Sequence, residues 1–290
     1  MLTLADGALT ASVLDPVSDR ARLGARYCSG GYVWQVTHAT LGDAFAGPRF
    51  PEPEPPPFDG QGAPEVFETA LAQHEAAVGD EVYVIGVGRV RRESVLRPFH
   101  VRDNPTVVER ATWEVTRGAP NALRFRTQAS FRGFELELVR TLELRGAERT
   151  LESTTLLRNL GLRPLPLRWF AHPFFPWAGA RVCRLSLEHA LPEGAALVTD
   201  DADFVTRRAG SVWDRGNYVV PRVALGGELV VEQCHPTFGV VRASTTFPLG
   251  GLALWGNERT FSFEPFFQTI VVPAAEVRFG IGYEFGAGPA

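Results

Sequence analysis

The sequence predicts an all-β chain, a sandwich or barrel, on three observations. Apolar and polar residues alternate with period two along most of the chain. Gly, Pro, Asn or Asp closes nearly every alternating run. No segment shows the long 3.6-residue periodicity of an amphipathic helix. At 290 residues and 45% hydrophobic, the chain is long enough to bury a large core.

Strands are expected in order. Ala8–Asp15, Gly31–His38, Glu81–Val90 and Thr112–Gly118 alternate and end at turn residues. Leu123–Gly146 carries two alternating runs, the second through Phe134, Leu136, Leu138, Leu142 and Leu144. Thr150–Gly161 follows, and the C-terminal third continues with Glu228–His235, Phe238–Thr245, Gly251–Asn257, Phe261–Pro273 and Glu276–Phe285. The best helical candidate is Glu65–Gly79. The Pro-rich, acidic stretch Gly47–Pro64 cannot pair inside a sheet. It reads as a long loop of one domain spanning 1–290, flanking a site.

Composition excludes several function classes. All 29 basic residues are Arg, so a lysine Schiff base and a P-loop lysine are absent. The net charge of −4, with Arg scattered, argues against a nucleic-acid partner. Cys28, Cys183 and Cys234 are odd in number and widely spaced, fitting free thiols rather than a disulfide framework or metal knuckle. The N-terminus lacks a signal-peptide pattern, and no run approaches a membrane span. A cytoplasmic protein without a membrane partner is therefore expected, as a monomer or homodimer. No HExxH, no G-x-S-x-G elbow and no full G-x-G-x-x-G occurs.

What remains is histidine and carboxylate on a β scaffold. Of six histidines, His172 stands out, set in "WFAHPFFPW" among Trp169, Phe170, Phe174, Phe175 and Trp177. It is either a satisfied core histidine or a group placed to exchange a proton. Glu264 lies among Phe261, Phe263, Phe266 and Phe267. It faces solvent on the polar side of its strand, or it is a buried carboxylate tuned as a base.

Three stretches resemble the galactose mutarotase-like superfamily of aldose 1-epimerases and glucose-6-phosphate 1-epimerases. Leu156–Phe175 is similar to its N-x-G-x-x-P-x-P turn leading into His-Pro-(Tyr/Phe)-Phe. Phe263–Phe285 resembles its Glu-Pro strand and last strand, and His100–Val115 its earlier His…W-x-V stretch. The resemblance implies a β-supersandwich and cofactor-independent interconversion of the anomers of an aldose or sugar phosphate. It implies His172 as general acid and Glu264 as general base, with His100 as a second, substrate-binding histidine. Arg26 and Asp214 correspond loosely to the family's sugar-binding Arg and acidic residue. Trp169, Trp177, Phe174 and Phe267 could stack on a pyranose. The alternative is a non-catalytic carbohydrate-binding protein on the same scaffold, which needs the aromatics but not both His172 and Glu264. A third class is a structural domain with no cleft at His172. The enzyme reading expects His172 and Glu264 to face each other across a cleft at about the span of a sugar ring.

Overall fold

In the computed structural model, which describes residues 1–214 and 216–287, the alternating runs form strands and the chain is a β-sandwich. A ten-stranded sheet is built on the antiparallel run Glu114–Ala119, Ala122–Phe131, Phe134–Arg145 and Thr150–Asn159. It continues through Glu276–Ala287, Gly239–Thr245, Val230–His235, Arg181–Leu185, Phe204–Arg207 and Leu197–Thr199. Facing it is a six-stranded sheet in the order Asn217–Val219, Gly251–Gly256, Thr260–Val271, Leu165–Ala171 and Glu65–Phe67, with Phe175–Pro176 pairing Thr260–Val271. Smaller sheets flank these, and among the described residues the single helical element is a 3-10 turn at Arg20–Arg22.

The two large sheets meet through side chains that alternate out of each strand. From Leu165–Ala171, Leu165, Leu167 and Trp169 enter the main core; from Thr260–Val271, Phe261, Phe263 and Phe267 do the same. Trp169 packs edge-on against Phe247 and Phe279 at 5.5 and 5.0 Å between ring centroids. The alternate positions Phe170 and Phe266 belong to a second cluster on the opposite face. Both faces of the six-stranded sheet are therefore covered there, which is why Thr260–Phe267 is buried at eight successive positions.

Glu65–Gly79 is not helical. It forms the strands Glu65–Phe67 and Ala70–Leu71. All three residues of the first are buried, so both of its faces need apolar or paired surroundings, which a one-sided helix would not provide. The Glu65 carboxylate pairs at 2.5 Å with Arg140, which comes from the ten-stranded sheet. It also accepts hydrogen bonds from Ser153 Oγ at 2.6 Å and Trp169 Nε1 at 3.1 Å. Arg140 is wholly buried and donates further to the Gly30 carbonyl at 2.8 Å. Burial pushes the Glu65 carboxyl up, and Arg140 opposes it.

The Pro-rich segment 47–64 is held down by donors from elsewhere. Asn257 Nδ2 donates to Pro48 O, Arg259 to Phe50 O, Arg26 to Phe58 O and the Tyr27 hydroxyl to Asp59 O. Gly62 closes the segment at φ +81°, where a Cβ would lie 2.3 Å from the Val33 carbonyl oxygen, so only glycine fits. From there the chain runs beside His172. The Phe174 N–H donates to Gly62 O and the His172 N–H to Pro64 O.

His235 anchors a turn from within. Its Nε2 donates to Ala44 O at 3.0 Å and its Nδ1 accepts the backbone N–H groups of Thr237 and Phe238. Burial lowers its pKa to about 4. The folded state therefore binds this proton less readily than the unfolded chain, so stability is full above about pH 6.5 and falls as pH drops toward 4. The imidazole is expected to stay neutral at pH 5, which an NMR titration of the His235 ring checks; a charged ring at that pH would contradict the assignment.

Candidate active site: a histidine–glutamate pair beneath an aromatic cavity

Strand alternation decides what reaches the site. Glu264 and Ser262 leave Thr260–Val271 on the face opposite Phe261 and Phe263. Past the end of Leu165–Ala171, His172 falls on the same face as Phe170. The two strands pair directly, Phe170 opposite Phe266, which brings His172 against Glu264.

His172 Nε2 and Glu264 Oε1 lie 3.3 Å apart, and both side chains are buried. The pair is in contact, not separated by the span of a sugar ring as the sequence reading expected. Arg26 Nη2 also lies 2.9 Å from His172 Nε2, and a guanidinium can only donate, so Nε2 is the accepting nitrogen. The ring proton then sits on Nδ1 and is donated to Ser262 Oγ at 2.7 Å. Burial, and secondarily the Arg26 charge, hold His172 well below the usual imidazole range, so it is neutral at pH 7. Burial raises the Glu264 carboxyl to about 7, with Arg26 pulling the other way. The pair thus takes up or loses one exchangeable proton around neutrality, and that proton resides on Glu264.

Above the pair is a cavity of about 200 Å³, lined among others by Arg26, His100, Tyr218, Trp255, Glu264 and Phe266. Glu264 lines it directly. His172 lies one layer behind, its ring packed on Phe174 at 4.4 Å and near Trp255 at 6.3 Å between centroids. Arg26 is pinned by its bond to Phe58 O and lies over the Tyr27 and Phe58 rings, 5.0 and 4.8 Å from their centroids.

The structure thus brings His172, Glu264, Arg26 and His100 together, and places the other named residues elsewhere. His100 is exposed at the cavity rim, with its Nδ1 accepting the Arg102 N–H at 3.1 Å. Trp169 is in the main core, because it sits one residue out of phase with Phe170 and so points to the other face. Phe267 is there for the same reason. Trp177 packs on Trp213 and Phe261 and donates to Asn257 O, away from this cavity. Phe174 backs His172 and is fully buried rather than lining the cavity. Asp214 lines a separate, adjoining cavity. Sequence reasoning passed over Ser262, Tyr218 and Trp255. Ser262 was within reach, since period two places it on the face of Glu264. Tyr218 and Trp255 depend on the pairing of Asn217–Val219 with Gly251–Gly256, in which these two residues are opposite each other.

Comparison with solved structures shows the galactose mutarotase-like fold. A galactose mutarotase related enzyme of Lactobacillus acidophilus superposes with a TM-score of 0.62 at 12% identity, covering 99% of this chain and 98% of that one. A galactose mutarotase-like protein of Clostridium acetobutylicum gives 0.55 at 13% identity, covering 97% and 93%. One of Lactobacillus casei gives 0.53 at 14%, covering 98% and 99%. At these identities the likeness is one of fold. No family model and no curated protein sequence matches the chain. Among the described residues, no helix is long and apolar enough to cross a membrane.

Proposed function

We propose that the protein is a cofactor-independent aldose 1-epimerase, interconverting sugar anomers by ring opening and closure. The observation that carries this is the His172–Glu264 contact at the floor of an aromatic cavity, with a carboxyl tuned to about 7. Anomer exchange needs one proton removed from the C1 hydroxyl and one delivered to the ring oxygen. A pair sharing one proton supplies both. With the proton passed from Glu264 to His172 Nε2, the carboxylate takes the hydroxyl proton and the imidazolium protonates the ring oxygen. The C1–O5 bond breaks, the aldehyde rotates about C1–C2, and the reverse steps close the ring with both protons restored. For this, Arg26 must keep its Nη1 bond to Phe58 O while Nη2 turns from His172 Nε2 to a sugar oxygen, which opens Nε2 to the cavity that Arg26 lines.

The reading fixes a pH profile. The active form has one proton on the pair. It is retained from well below pH 6.5 up to about 7, and lost as Glu264 ionises. The rate is therefore expected to fall about tenfold per unit above pH 7. Were Glu264 a base acting without a shared proton, the rate would rise through the same range. Proton NMR of freshly dissolved α-glucose, α-galactose and glucose 6-phosphate, followed between pH 5 and 9, measures it. The carbohydrate-binding alternative predicts shifts on sugar addition with no acceleration at any pH.

A further inference from the structure

Beside the cavity over Glu264 lies a second, of about 290 Å³, and Trp255 lines both. Their walls adjoin at that residue. Arg26 of the first holds Phe58 O, and the next residue, Asp59, lines the second. Tyr218 of the first and Asp214 of the second leave the same stretch of chain. The cavity over Glu264 alone is smaller than the ~300 Å³ at which small-molecule sites begin, and joined to the second it exceeds that size.

The second cavity has its own chemistry. Four carboxylates line it, those of Glu52, Asp59, Asp214 and Glu258, against the guanidiniums of Arg49 and Arg259. Arg49 bridges Asp59 at 3.0 Å and Arg259 bridges Glu258 at 3.5 Å, so both cations are already matched within the wall. Such a wall repels phosphate and offers acceptors to hydroxyl groups. The half-buried indole of Trp255 adds an apolar surface for the C–H face of a pyranose.

We infer that the two cavities form one cleft with two sugar subsites divided by Trp255, and that the substrate is a neutral reducing disaccharide or longer glycan. The inference rests on the epimerase reading for its polarity. The reducing sugar lies over Glu264, where its anomeric carbon is free, and the next sugar occupies the carboxylate-lined half.

The test compares glucose, glucose 6-phosphate, maltose, isomaltose, cellobiose and lactose as probes, in anomer exchange and in binding followed by NMR titration. Wild type and an Asp214→Ala/Glu258→Ala variant are used, both substituted side chains being exposed. At least one disaccharide is expected to exceed glucose by about tenfold in kcat/KM and in affinity, with that ratio falling toward one in the variant. Glucose 6-phosphate is expected to gain nothing over glucose. Glucose equalling every disaccharide, or a preference for the phosphate, overturns the second subsite. Disaccharide preference in binding without anomer exchange keeps the subsite and discards the epimerase reading. No binding of any probe discards both.

Discussion

Glu264→Gln is expected to abolish anomer exchange and, at the same time, to stabilise the fold at alkaline pH. The catalytic loss should be about 10²–10⁴-fold, the usual worth of a positioned acid–base group. His172→Ala should lose a similar factor, and the double variant little more, because the two share one proton. The stability effect has the opposite sign. The folded-state pKa of Glu264 is about 7, above the 4.5 of an ordinary glutamate. Below pH 4.5 the carboxyl is neutral in both states and costs nothing. Between 4.5 and 7 the unfolded chain ionises first, so wild-type stability falls as pH rises. Above 7 the cost is complete, on the order of 3 kcal/mol. Glutamine keeps the shape and removes the ionisation. Urea unfolding at pH 5 and pH 8 should show the variant's advantage growing with pH. An advantage independent of pH would show that Glu264 is not a desolvated carboxyl.

Removing either member of the Arg140–Glu65 bridge should cost about 3–5 kcal/mol, since it leaves the other charge buried without its partner. Glu65→Leu strands a guanidinium that is 0% exposed, and Arg140→Met strands a carboxylate already raised by burial. Arg140→Met with Glu65→Leu should recover most of the loss, because it removes both desolvation costs. Denaturant unfolding of the four proteins closes the cycle; two single losses that simply add would refute the coupling. The consequences reach the site, because Glu65 is the register partner of Ala171, the residue before His172.

The fold was legible from alternation because strands buried on one face repeat every two residues, as in Thr150–Asn159. The sequence misled at Glu65, where a strand buried on both faces owes its conformation to an arginine 75 positions away. It misled again at Trp169 and Phe267. An aromatic-rich stretch gives no sign of phase, and only the pairing of the two strands shows which rings face the core. His172 and Glu264 could be picked out because a titratable group among apolar neighbours is costly and therefore conspicuous. Their contact at 3.3 Å could not, since it depends on the register of strands far apart in sequence. Trp255 carried no local signal at all.

The position of Trp255 has an optical consequence. Trp34, Trp113, Trp169 and Trp213 are buried, leaving Trp177 and Trp255 as the partly exposed indoles. Trp177 is packed on Trp213, with the Arg207 guanidinium over its ring. Trp255 is the one of the two set in the cleft, so occupation of either half should change the intrinsic emission of the chain. A Trp255→Phe variant should keep the emission of the other five tryptophans and lose this response, which turns the cleft into its own fluorescent indicator without any attached dye.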